Sequence, residues 1–464
     1  MALGGKTVHA DSVIDGARIG GFQILVLFLG GLVLFTDGFN THDVGYVAFA
    51  VRDELGLSQG ALGFVTAAGT LGLLAGYLLL SPLGGYFGPK RMTLLSVAMY
   101  GVMAVLTSFA QDLSQLVVLR FLTGMALASA IPAMVAIISE FAPLRRRSSF
   151  ITFSYFGLSL GQLSAGAVSE LLLVEHGWRS VILVGGLIAL VILPVLLALL
   201  PESVEYLVNR GQQPRKAAQT LRRAAPHAGV TDSTTILAGR AGDQRVAVTE
   251  LFQDGRAMGT ILIWLAIMMN LIPNQFFGSW LTTIMVDSGF TEEQAIRAKM
   301  ANDGAGMLVA FIIGPLMDRY GPYRVMAATF LIGSCVIAAT GITLTGGMFI
   351  PIITMCFLVG LCNSGISKGS NAVGAHFYPT ALRSAGVGWG LGIGRIAAFG
   401  TPILAGLLLD LGWNASTLFY LVAAPLIVGM CAHLVLQRFY GGKRPDQARP
   451  ESTPVEGDVV PAAR

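Results

Sequence analysis

The chain has 464 residues, of which 54% are hydrophobic and only 12% charged, with a formal net charge of +4. A soluble domain carries roughly 25% charged residues, so this composition excludes an ordinary water-soluble protein. Apolar runs recur along the whole length, each close to the roughly 20 residues that cross a bilayer core as a helix. They are too long and continuous for the alternating strands of a barrel. Helices are the remaining way to satisfy the backbone in lipid. The opening residues lack the charged start, apolar core and cleavage site of a removable signal. The four cysteines, Cys335, Cys356, Cys362 and Cys431, lie in apolar segments without metal or redox spacing, so no metal and no cofactor is expected.

In chain order, the spans are predicted at 22–48, 60–80, 91–110, 114–140, 149–173, 180–200, 258–285, 296–317, 325–345, 349–377, 385–409 and 416–438. This is an all-α polytopic membrane protein of about twelve transmembrane helices. Arg145, Arg146 and Arg147 fall between the fourth and fifth spans. The polar stretch 201–257 carries Arg210, Arg215, Lys216, Arg222, Arg223, Arg240, Arg245 and Arg256. Lys90, Arg91, Arg319, Arg324, Arg383, Lys443 and Arg444 occupy other alternate connections. The positive-inside rule then puts both termini in the cytoplasm. The expected organisation is a cytoplasmic tail over 1–21, a six-helix half over 22–200, a cytoplasmic loop over 201–257, a second six-helix half over 258–438 and a cytoplasmic tail over 439–464.

Two loops repeat half a chain apart: SPLGGYFGPKRM at 81–92 follows the second span, and GPLMDRYGPYRVM at 314–326 follows the eighth. A parallel repeat of two pseudo-symmetric halves is the layout of a rocking transporter with its site between them. GLSLG at 157–161 matches a nucleophile elbow, and GIGRIA at 392–397 a dinucleotide loop. Neither has the strand-turn-helix setting that such chemistry needs. No enzyme is expected, and no nucleic-acid partner.

The paired loops, with RFLTG (120–124) and PESVEYLV (201–208), resemble the signature of the major facilitator superfamily. DGFN in the first span, ISEFAPLRRR (138–147), FYPTALRSAGVGWGLGIGR (377–395) and the segment from MMN to SWL (268–281) are similar to the aromatic acid:proton symporters. The resemblance runs from about 22 to 438. It implies a proton-coupled importer of a hydroxybenzoate, benzoate or related acid, multi-pass in a bacterial inner membrane and monomeric. The chain departs from the family pattern at Asn40, where an acid is usual, and at His42 and Asp43, where small or apolar residues are usual. It departs again at Asp303 and Lys368, where uncharged residues are usual, and at Gly85 and Tyr86, where the first loop copy lacks the Asp and basic residue that Asp318 and Arg319 keep in the second.

A charge inside a span is costly unless paired or facing a watery cavity, so each is a functional candidate. At about 1.5 Å per residue from the cytoplasmic ends, Asp37 and Asp303 lie roughly 22 and 21 Å up, and Arg395 and Lys368 roughly 15 and 14 Å. Asp43 and Arg120 share an outer layer at roughly 30 Å. Arg120 and Arg395 can fork a carboxylate, or pin helices together. The resemblance implicates both in transport. Asp37 is the expected proton carrier; Asp43, one turn beyond the missing acid at Asn40, and His42 are its candidate assistants. Lys368 either pairs with Asp303 or holds a second carboxylate or a polar ring substituent. Asn270, Asn274, Gln275, Phe276, Phe277, Trp280, Asn363, Ser367, Asn371 and Trp389 are candidate cavity walls for a flat polar ring, or ordinary helix packing. Glu140 with Arg145, together with Arg91, Asp318, Arg319 and Arg324, are candidate gating residues on the cytoplasmic side. The alternatives in function are a phthalate- or muconate-like dicarboxylate and drug or metabolite efflux by antiport.

Overall fold

The computed structural model describes residues 7–209, 214–231, 234–237, 248–379 and 382–441. Arg210, Arg240, Arg245, Lys443 and Arg444, and the Thr380–Ala381 step of the most specific motif, lie outside the described residues. In chain order the helices are α1 (Ala10–Asp15), α2 (Gly21–Leu55), α3 (Gln59–Leu79), α4 (Gly84–Phe87), α5 (Pro89–Thr107), α6 (Leu113–Leu127), α7 (Ala130–Phe141), α8 (Arg147–Leu199), α9 (Val204–Asn209) and α10 (Pro214–Ala224). After the central connection come α11 (Ala257–Asp287), α12 (Glu292–Tyr320), α13 (Pro322–Thr345), α14 (Phe349–Phe377), α15 (Arg383–Asp410) and α16 (Ala415–Tyr440). Two three-residue strands, β1 (Thr7–His9) and β2 (Thr235–Leu237), pair in parallel and tie the N-terminal segment to the central connection.

Among the described residues, nine helices are long and apolar enough to cross a membrane, and α12 makes ten when its two bent limbs count as one span. The expected spans 149–173 and 180–200 both fall on α8, whose 53 residues turn at Gly177, where φ is 72°. The expected 114–140 span is split between α6 and α7. α12 is the least apolar of the long C-terminal helices because Glu292, Glu293, Arg297, Lys299 and Asp303 lie along it.

Local signals set the helix ends. Ser58 accepts a bond from the N–H of Ala61, and Asp112 from that of Gln115, capping α3 and α6. Thr291 and Gln294 form a reciprocal capping box on α12. The repeated loops share one backbone solution. Gly88 (φ 87°, ψ 149°) precedes Pro89 at the start of α5, and Gly321 (φ 86°, ψ 144°) precedes Pro322 at the start of α13. Positive φ suits only glycine, and proline suits the first helical position, so Gly-Pro fits both corners.

The buried side chains divide along the chain. One apolar core draws almost entirely on residues after 248, and two others on residues before 231. The helices meet across that division where α3 packs on α15, α2 on α11 and α8 on α12. Large side chains such as Leu171, Val191, Phe311 and Ile350 stand outward, as lipid-facing residues do.

Candidate functional site

Asp37 is buried midway along α2. Arg395 of α15 is the charge that acts on it, and Tyr77 of α3 and Tyr155 of α8 also lie within electrostatic reach of Asp37. The Arg395 guanidinium stands 5.9 Å from the centre of the Tyr77 ring. Four helices therefore meet around one acid and one base.

Two turns along α2, Asp43 is fully buried. Its Oδ1 accepts from Arg120 Nη1 at 3.4 Å, and its Oδ2 from the Asn40 amide at 3.4 Å. The backbone N–H of Val44 adds a bond of 2.6 Å. Arg120 Nε is buried without a partner, which leaves the guanidinium one unmet donor. Asn40 thus serves as a neighbour of the acid three residues on.

The third cluster joins the two sides of the molecule. Asp303 Oδ2 accepts from Tyr46 at 2.8 Å and from Lys299 at 3.3 Å, and lies 3.0 Å from His42 Nδ1. Gln162 of α8 meets His42 Nε2 at 3.0 Å. Lys299 is fully buried, its ammonium 4.7 Å above the Tyr46 ring. The expected pairing of Asp303 with Lys368 is not formed among the described contacts. The partner is Lys299, one turn earlier on the same helix, while the Lys368 ammonium is held by the carbonyl of Gly306. Lys299 went unselected in the sequence, although its i, i+4 spacing to Asp303 inside a span was a readable signal.

The candidate wall residues separate into two groups. Trp280 is fully buried and its indole donates to the Pro402 carbonyl at 3.2 Å, so it packs α11 against α15. Phe276 and Phe277 stack edge-to-face on Phe419 at 5.5 and 5.6 Å and belong to the core. Asn270 donates to Ser367 at 2.8 Å while its own oxygen is buried without a partner. Asn274, Asn371 and Trp389 are exposed.

The gating candidates also sort by contact. Glu140 accepts from the backbone N–H of Glu205 at 2.9 Å, which holds the start of α9. Its described bonds do not reach Arg145, which is exposed. Glu202 accepts from the N–H of Lys90 at 3.2 Å and feels the charge of Arg91. Tyr206 donates to the Tyr86 carbonyl at 3.1 Å, and its ring fills the space beside Gly88. The PESVEYLV segment therefore braces the first loop copy, where Gly85 and Tyr86 lack the second copy's charges. Asp318, Arg319 and Arg324 are exposed, with the Arg319 guanidinium 5.3 Å from the Tyr320 ring.

At the end opposite the central connection, charged contacts cross between the helices before and after it. Arg52 grips Asp287 through two bonds of 2.7 and 2.8 Å, and Gln59 adds a third of 2.9 Å. Asp410 accepts from the N–H groups of Gln59 and Gly60, and Arg297 pairs with Glu170 at 2.7 Å. Gly45 lies so close to the Gly278 carbonyl that no side chain would fit between.

Long apolar helices enclosing paired charges, with a repeated corner in each part of the chain, define a polytopic membrane transporter rather than an enzyme. The sequence pattern of the Major Facilitator Superfamily matches residues 27–307 and 304–462. The chain is 33% identical over 411 residues to the 4-hydroxybenzoate transporter PcaK of Pseudomonas putida, covering 88% of this chain and 91% of that protein. It is 32% identical over 428 residues to a gallate transporter of Pseudomonas putida, covering 91% and 93%. To the benzoate transport protein of Acinetobacter baylyi it is 26% identical over 435 residues, covering 92% of each. The fold superposes on the partially occluded inward open conformation of the xylose transporter XylE from E. coli, with a TM-score of 0.70 and 16% identity, covering 90% of this chain and all of that one. The chain belongs to the major facilitator superfamily, in its aromatic acid:proton symporter branch. It is a multi-pass inner-membrane protein.

Proposed function

We propose that this chain imports an aromatic carboxylate, a hydroxybenzoate, benzoate or related acid, together with a proton, by alternating access between two six-helix halves. The observation that carries this reading is the buried Asp37 within the field of Arg395. A proton on Asp37 frees the Arg395 fork to hold a carboxylate, and the loaded site is then neutral. With only one of the two cargoes it holds a buried net charge, which opposes closure. Arg120 is a second carboxylate-binding candidate, with Asp43, and His42 while the outer end is open, assisting the proton. Asn270, Asn274, Asn371 and Trp389 line the path of the ring.

Both termini and the central connection face the cytoplasm, in keeping with the arginines there. The Arg52–Asp287 and Asp410 contacts then close the outer end, and the chain rests open to the inside as a monomer of twelve spans.

Uptake of labelled 4-hydroxybenzoate, protocatechuate, benzoate and a phthalate-type diacid into proteoliposomes tests this. Accumulation of a monoacid only under an inward proton gradient is the expected result. Accumulation without a gradient removes the coupling, and uptake of none of them removes the substrate class. A diacid is the second reading, favoured by Lys368, whose ammonium meets a backbone carbonyl rather than an acid. Net export of substrate would instead favour an efflux antiporter.

A further inference from the structure

The His42 cluster contains a charge that this cycle does not use. One hydrogen arrangement satisfies both ends of the imidazole: Nδ1–H donates to Asp303, and Nε2 accepts from the Gln162 amide. In that arrangement the imidazole is neutral. Lys299 and Asp303 cancel each other on one face of α12, so the docked cluster carries no net charge. The groups at His42 are Asp303 and Lys299 from α12 and the uncharged Gln162 from α8, and Tyr46 of its own helix donates to Asp303.

We propose that Lys299 is a positioning residue that stops a proton from crossing on His42 without substrate. The inference rests on the proton-coupled reading above. His42 belongs to α2 and Asp303 to α12, so the two part whenever those helices separate, while Lys299 stays with Asp303 one turn away. A separated imidazole can take a proton at Nε2. To dock again in that form it must bring a second positive charge to within 3.5 Å of the Lys299 ammonium. The cluster would then hold an uncompensated buried charge, so His42 gives up its proton before the end closes. Without Lys299 the balance reverses. A protonated His42 and an ionised Asp303 form a neutral pair that docks readily. The His42 side chain is 20% exposed in the docked state, which leaves the proton a way off. The result is a proton carried across with no acid beside it.

The test uses the full-length protein in liposomes that hold a pH-sensitive dye, under an inward proton gradient and with no aromatic acid present. Lys299→Met is expected to raise proton influx at least about tenfold over wild type, the scale of one like charge removed at this range. Lys299→Arg keeps the charge and stays tight. Adding His42→Gln to Lys299→Met abolishes the leak, and adding Asp303→Asn does the same by restoring neutrality. A Lys299→Met protein that takes up substrate without leaking overturns the inference, as does a leak that survives His42→Gln. Should Lys299→Met fail to reconstitute, Lys299→Gln makes the same comparison. Wild-type protein without gradient-driven uptake defeats the coupled reading itself, a result distinct from a tight Lys299→Met in a coupled transporter.

Discussion

Asp37 and Asp43 lie on one helix yet differ in how they are held. Asp43 is fixed by Arg120, Asn40 and a backbone N–H, whereas Asp37 has a charge nearby but no described hydrogen bond. An acid left without fixed bonds is the better proton carrier, because protonation breaks less. Asp37→Asn is therefore expected to abolish uphill accumulation, at least about 100-fold in the gradient-driven ratio, while substrate exchange persists. Unchanged accumulation in the reconstituted variant would exclude the role. Asp43→Asn should act on stability instead, because it leaves the Arg120 charge buried alone. The cost of such a break is about 3–5 kcal/mol, read as a lowered melting temperature of the solubilised protein. An equal melting temperature would show that Arg120 finds another partner.

Among the elements, the start of α3 stands out because another helix completes its cap. Ser58 closes its own turn, and the Asp410 carboxylate at the end of α15 takes the N–H groups of Gln59 and Gly60. Asp410→Ala should cost about 1 kcal/mol of capping. It should also free α3 from α15 at that end. The Arg52–Asp287 fork is an exposed pair, worth about 0–1 kcal/mol by itself. Asp287→Asn should therefore barely move the melting temperature, yet shift the population toward opening at that end. Faster alkylation of a cysteine placed at the partly buried Val286, between the two sides, would register the shift. An unchanged rate in both variants would mean that the glycine contacts, such as Gly45 against Gly278, hold the end shut without the charges.

For the whole molecule, coupling is a matter of net buried charge. Each of the three clusters sets one acid against one base: Asp37 with Arg395, Asp43 with Arg120, and Asp303 with Lys299 beside His42. Adding a carboxylate alone or a proton alone unbalances the interior, and adding both does not. A protonophore should accordingly stop accumulation in proteoliposomes while leaving exchange of internal for external substrate nearly intact. Loss of both would place the gradient's effect on binding rather than on coupling.

Hydrophobic length and composition were enough to determine the helical membrane class, because lipid imposes those properties on any segment it surrounds. Depth counting along each helix also put Asp43 in the layer of Arg120, since rise per residue is constant. What counting cannot supply is the direction in which each side chain faces and which helix stands opposite. The tertiary structure therefore decided that Asp303 meets Lys299 and His42 rather than Lys368, that Trp280 and the two phenylalanines pack the core, and that Glu140 caps α9 instead of pairing with Arg145. Partners in a buried polar cluster are chosen by helix rotation and crossing, and those depend on every contact along the interface rather than on the residues of one span.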